Sequence, residues 1–200
     1  MTVRETGALP PERRRDLLAT AAEEFAAAGY ERASLNRVIK ARGMSKSSFY
    51  HYFDSKEALF DAVVADLGTG AAAALGTPDP EAFADEGFWD GLAALAGRLA
   101  ADEDLRLLGR LFYLPDAPTG GALAATRAAV EDWIYRALKA GRAAGAVGDD
   151  LPVALQRHLL KAVLWAMDEW SIAHAESMSE DEQRALATAQ LEALRRLLAG

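Results

Sequence analysis

Apolar positions recur along this chain at three- and four-residue spacing, the period of helices that bury one face. Leu17, Leu18, Ala21, Ala22 and Phe25 form the first stripe. It opens at Pro10-Pro11-Glu12, with proline suited to a first turn and an acid beside the positive helix end, and Gly29 stops it. Ser34 suits the N-cap of a short second helix that points Leu35, Val38 and Ile39 inward and ends at Gly43. Ser45 can cap a third, Lys46 to Tyr52, with Phe49 and Phe53 on one side. Asp54-Ser55-Lys56-Glu57 starts a fourth: Asp54 with Glu57 resembles a capping box, and Ser55 suits the cap equally. That helix carries Leu59, Phe60, Val63, Val64 and Leu67, then loosens into GTGAAAALGTPDPE.

Further helices are predicted over about 81–101, 103–114, 120–145, 152–177 and 180–199. The breakers are the Leu114–Pro118 segment, Gly145 to Pro152, and the Ser177–Ser179 turn. Alanine and leucine dominate and β-branched residues are sparse, so the fold class is all-α. The helix from Pro152 is apolar over a broad arc (Leu155, Leu159, Leu160, Val163, Leu164, Met167, Trp170), and the last adds Leu186, Leu191, Leu194, Leu197 and Leu198. One face can serve the protomer's own core and another is left over, which suggests contact with a second copy. The alternative is that both helices simply close the monomer core.

Charge changes the picture more than composition does. The 200 residues are 51% apolar, an ordinary globular balance, and their net charge of −8 does not advertise a nucleic-acid partner. Residues 1–60, however, hold ten basic and eight acidic side chains, net +2, whereas residues 61–200 hold twelve and twenty-two, net −10. From Arg32 to Phe53 there are five basic residues (Arg32, Arg37, Lys40, Arg42, Lys46) and no acid. Such polarisation fits a chain with one end facing a polyanion.

Two short helices joined by a tight glycine-containing turn are a helix-turn-helix, the unit that lays its second helix in the DNA major groove. Lys46-Ser47-Ser48 put small polar side chains where that helix would approach base edges, and Tyr50, His51 and Lys56 supply donors suited to phosphate oxygens. The run SLNRVIKARGMSKSSFYHYFDSKEALF, residues 34–60, resembles the DNA-binding domain of the tetracycline-repressor (TetR) family of transcriptional regulators. Ser34, Val38-Ile39, Gly43-Met44-Ser45, Phe49-Tyr50, Phe53 and Lys56-Glu57-Ala58-Leu59 carry the likeness, and Phe25 with Gly29-Tyr30 extends it upstream. Arg42 stands where a small residue is usual and Ser47 where glycine is frequent.

The resemblance implies that residues 1–55 bind double-stranded DNA and residues 56–200 bind a ligand and dimerise. It implies DNA contacts at Ser34, Arg37, Lys46, Ser47, Ser48, Tyr50, His51 and Lys56. It implies a small-molecule effector in a cavity between the later helices, with Trp89, Phe112, Trp133 and Trp165 as lining candidates, although each aromatic can equally be core. It also implies a homodimer through the last two helices, with Leu155, Leu159, Trp170, Leu186, Leu194 and Leu197 at the interface.

Enzymatic readings have little to stand on. There is no cysteine, hence no disulfide or thiolate metal site, and no phosphate loop, His-Glu-x-x-His or Ser-His-Asp pattern. His158 and His174 are sixteen residues apart, which at ~100° per residue sets them about 160° apart around one helix, so they cannot share a metal within a protomer. No cofactor is expected, and with neither a signal peptide nor a membrane span in the sequence the expected location is cytoplasmic. The resemblance implies a ligand-responsive repressor that binds a palindromic operator as a dimer and is released by a small molecule. The rival reading is a helical interaction adaptor or an enzyme that binds no DNA.

Overall fold

The Pro10–Pro11 step starts α1 (Pro11–Ala28) in the computed structural model of the chain, which describes residues 9–75, 79–83 and 87–199. Three short-range capping devices then set the front of the molecule. Ser34 Oγ accepts from the Arg37 amide at 3.4 Å to begin α2 (Leu35–Ala41). Ser45 Oγ accepts from the Ser48 amide at 3.1 Å to begin α3 (Lys46–Tyr52). Ser55, rather than Asp54, caps α4 (Lys56–Leu75), its Oγ accepting from the Ala58 amide at 3.0 Å. Between α2 and α3 the chain reverses at Gly43, whose φ of +61° is left-handed backbone that a side chain disfavours. The amides of Gly43 and Met44 close that turn on the carbonyls of Lys40 and Ile39.

α4 runs further than its sequence implies, through Gly68 and Gly70 to Leu75. Four alanines follow those glycines, and Ala71 is buried, so helix propensity and packing override the two weak positions. The predicted helix over 81–101 divides into a 3-10 turn at Pro80–Phe83 and α5 (Phe88–Ala101); its stretch 84–86 lies outside the described residues. Then come α6 (Glu103–Phe112), α7 (Gly121–Ala143), α8 (Val153–His174), a 3-10 turn at Ala175–Ser177, and α9 (Glu180–Leu198). α9 opens with a capping box between Ser179 and Glu182. The described residues are all-α, and no described helix is long and apolar enough to cross a membrane.

Two apolar cores organise these helices. The first joins Leu17, Phe25, Val38, Ile39 and Phe49 to Leu59, Phe60 and Val63 of α4, and continues without a break into Leu111 and Phe112 of α6 and Leu123 of α7. The Phe60 ring meets Phe25 at 5.0 Å and Tyr30 at 5.3 Å edge to face, while Phe25 and Tyr30 stack on each other at 5.9 Å. The second core gathers Phe88 of α5, Leu138 of α7, Val147, Leu160 of α8, and Leu194 and Leu198 of α9. Leu194 therefore serves the protomer's interior rather than a surface open to a second copy, a correction to the interface expected from sequence. It lies three residues from exposed Leu197, which puts the two on adjoining sides of α9.

Candidate functional site

α3 is held by the buried ring of Phe49, with half-buried Tyr52 against the same core, and turns its other side chains outward. Lys46, Ser47, Tyr50 and His51 are exposed and Ser48 is half-buried, so these five share one accessible surface. The Tyr50 ring stands edge-on to Phe49 at 5.4 Å with half its surface exposed. Ser47 and Ser45 share a hydrogen bond between their hydroxyls at 3.0 Å, which fixes Ser47 beside the helix start.

The basic residues around α3 divide by what they already hold. Arg37 forks onto Glu24, its Nε 2.9 Å from both carboxylate oxygens, and this staples α2 to α1. The Arg37 hydrogen bond holds the Glu24 carboxyl below its usual range, against the opposing effect of burial. Glu24 also accepts from the Ser34 amide at 2.8 Å, so Ser34 is gripped at the helix start by side chain and backbone alike. Arg42 pairs with Asp16 at 2.6 Å, and Arg32 donates from Nε to the Ala28 carbonyl. Arg37, expected among the DNA contacts, is thus a cation shared with a carboxylate. Lys40 and Lys46 are exposed and have no ion pair among the described residues.

Lys56, expected at phosphate, already holds the chain's own backbone. An ammonium has three N–H donors, and all three are used: Nζ lies 2.8 Å from the Tyr30 and Glu31 carbonyls and 3.1 Å from that of Ala33. It also sits over the Tyr30 ring at 5.1 Å. Lys56 therefore holds the α1–α2 loop from beneath. Lys56→Met is expected to lower thermal stability by roughly 1–3 kcal/mol, because three carbonyls lose a charged donor. It should leave the salt dependence of DNA binding unchanged; a flattened salt slope would return Lys56 to the phosphate contacts.

The same loop is clamped from above. Asp116, in the α6–α7 connection, accepts from the Tyr30 amide at 3.1 Å and from the Glu31 amide at 2.8 Å. Those bonds, led by that from Glu31, hold its carboxyl below the usual range. Sequence reading missed this residue, since its partners stand 85 and 86 positions upstream.

The four aromatic candidates do not share one place. Phe112 and Trp165 meet with ring centroids 5.5 Å apart, and Tyr113 adds a third ring 6.4 Å from Trp165. Trp89 belongs to the second core, where its Nε1 donates to the Ala146 carbonyl at 3.2 Å. Trp133 is half-buried on α7. Beside the Phe112–Trp165 pair the Tyr113 hydroxyl donates to Asp168 Oδ2 at 3.0 Å. Burial raises the Asp168 carboxyl above its usual range, opposed by that hydrogen bond, and burial next to Asp168 also raises the Tyr113 phenol. Tyr113 follows Phe112 directly and Asp168 lies one helical turn beyond Trp165, a spacing that could have drawn attention to both.

On the outer face of α8, Leu155, Leu159 and Trp170 are exposed, with exposed Ala162 and Ala166 continuing the stripe. Trp170 stacks flat on His174 at 4.1 Å. α9 adds exposed Leu197, half-buried Leu186, and exposed Ala185, Ala189 and Ala193. Small residues in such a stripe let helix backbones approach closely.

Residues 17–63 match the family described as bacterial regulatory proteins, tetR family. The HTH-type transcriptional repressor Rv1474c of Mycobacterium tuberculosis is 31% identical over 162 residues, covering 76% of this chain and 78% of that protein. An uncharacterized HTH-type transcriptional regulator of Bacillus subtilis, YdgC, is 42% identical over 56 residues, a match that spans 28% of this chain and 29% of YdgC. Among solved structures, the ketosteroid transcriptional regulator KstR2 of Mycobacterium tuberculosis superposes with a TM-score of 0.67 at 17% identity, covering 98% of this chain and all of that one. At that identity the likeness is one of fold.

Proposed function

We propose that this chain, which belongs to the tetR family of bacterial regulatory proteins, represses transcription as a homodimer on a palindromic site and lets go when a small molecule enters its later helices. It is a DNA-binding regulator of helix-turn-helix type. Residues 1–55 are assigned to DNA and residues 56–200 to sensing and dimerisation. The observation that carries the DNA assignment is the outward face of α3, where Lys46, Ser47, Ser48, Tyr50 and His51 stand together without a carboxylate on a helix anchored by Phe49.

In a dimer, two copies of α3 must enter successive major grooves about 34–36 Å apart. The apolar stripes of α8 and α9 are the surface assigned to the second copy. The effector is assigned to the Phe112–Trp165 corner, which lies directly before the 114–118 connection that holds Asp116 against the α1–α2 loop. A molecule favouring a displaced α6 end would bias the separation of the α3 helices, and DNA would be released by population shift.

The test is a set of operator titrations at several salt concentrations. Lys46→Ala is expected to weaken all sequences alike and to reduce the salt slope by about one, as loss of one phosphate contact does. Ser47→Ala and Ser48→Ala are expected to change which sequence is preferred. Parent-like binding by all three variants would remove α3 from the interface.

A further inference from the structure

Asp168 is directed inward and still reached by solvent. It stands nine positions after Leu159 on α8, which at ~100° per residue places it on the opposite side of the helix from the exposed apolar stripe. That side faces α6: Tyr113 bonds to Asp168, and Ile172, one turn further on, reaches within 3.2 Å of where a side chain on Gly109 would begin. Asp168 is nevertheless exposed, so its carboxylate stays open to solvent where α8 packs on α6.

The nearby cations are committed elsewhere. Arg127 donates to the Phe112 carbonyl and lies over the Phe112 ring at 5.2 Å. Lys161 pairs with Glu131 and lies over the Trp165 ring at 5.6 Å. Asp168 has no ion pair among the described residues, and its recorded partner is a neutral phenol. This surface therefore presents a carboxylate with no ion pair beside the rings of Tyr113 and Trp165, in a part of the chain whose net charge is −10.

We propose that this surface takes an organic ammonium ion with an apolar body, its N–H donating to Asp168 and its chain or ring lying against Tyr113 and Trp165. The chemistry is complementary on each count. A protonated amine gives a charge-assisted hydrogen bond to the oxygen that Tyr113 leaves open, and the apolar body covers ring surface. An anion would meet the uncompensated carboxylate and is disfavoured. This names the ligand class of the sensor site proposed above and rests on that assignment.

The experiment titrates the full chain with three probes of one shape: 4-phenylbutylamine, protonated at neutral pH, 4-phenylbutanol, and 4-phenylbutyrate. Binding is read by tryptophan fluorescence and calorimetry. The amine is expected to bind more tightly than the alcohol, and the carboxylate most weakly. Asp168→Asn keeps an acceptor for Tyr113 and should cost the amine about 10- to 100-fold while leaving the alcohol unchanged. Tyr113→Phe, which keeps the carboxylate, should preserve the preference for the amine and guards against misreading a folding defect. Equal binding of amine and alcohol, an amine affinity indifferent to Asp168→Asn, or no binding of the amine would each overturn the proposal. Operator titration is run beside it: amine binding that never alters DNA affinity would count against the regulatory reading while leaving the cation site standing.

Discussion

Asp116→Ala is expected to weaken operator binding by roughly 5- to 30-fold without any effector, and to blunt the response to one. The estimate follows from losing two amide-to-carboxylate hydrogen bonds at a half-exposed site, discounted to ~1–2 kcal/mol in total for solvent screening. Without the carboxylate the Tyr30 and Glu31 amides lose their hold on the later helices, and the α1–α2 loop is left to the Lys56 grip on its carbonyls and the Glu24 hold on the Ser34 amide. α2 starts directly after that loop, so its freedom becomes freedom of the DNA-reading unit.

Gly29→Ala should produce the same phenotype from the opposite side. Gly29 has φ +80° and ψ 164°, a conformation that only glycine adopts readily, and a Cβ there would stand 3.0 Å from Asp116 Oδ2. The pH dependence has a definite sign. The folded-state pKa of Asp116 is depressed, so its contribution is fully present above the unfolded value of about 3.9 and is lost as pH falls through the lower folded value. The clamp is therefore intact throughout the neutral range, and its loss belongs to acid. Operator titrations of both variants, with and without effector, decide the matter. Binding and release that match the parent would make Asp116 a surface carboxylate with no part in coupling.

What could be read from sequence alone was whatever the chain settles locally. Ser34, Gly43 and Ser45 announce two short helices and their turn because each acts within three or four residues of itself. Phe49 as core follows from helical spacing alone. Lys56 shows where that reach ends. Its type and place suit a phosphate contact, but the three carbonyls it satisfies lie 23 to 26 residues upstream and converge only after α1 and α4 have packed. Arg37 likewise finds Glu24 thirteen residues away, and Asp116 finds its amides across more than eighty. The four aromatic candidates fail to gather for a related reason. Composition counts rings, whereas the division into two cores depends on which ends of α7 and α8 meet α5 and α6. Tyr113 and Asp168, an ordinary Tyr and Asp in sequence, acquire their character only by facing each other.

Leu159→Glu should convert the protein to a monomer and reduce operator affinity by two or more orders of magnitude, with little loss of protomer stability. Leu159 is already 38% exposed in the protomer, so a carboxylate there finds water while the chain is alone. A two-fold interface presents each residue twice, and the substitution would bring two new charges into a desolvated stripe of Leu155, Ala162, Ala166 and their symmetry mates. Separated protomers each hold one half-site, and losing the tether between half-sites removes an avidity of about 10²–10⁴. Leu194→Ala supplies the contrast from the neighbouring helix. That side chain is 9% exposed and packs with Phe88, Leu138 and Leu160, so its truncation should cost the protomer itself roughly 2–5 kcal/mol by leaving a cavity. Sedimentation and thermal melting separate the two effects: Leu159→Glu changes mass with little change in melting, and Leu194→Ala lowers melting first. A Leu159→Glu protein that still sediments as a dimer and binds operator like the parent would remove the α8 stripe from the interface and send the search for the second copy to another face.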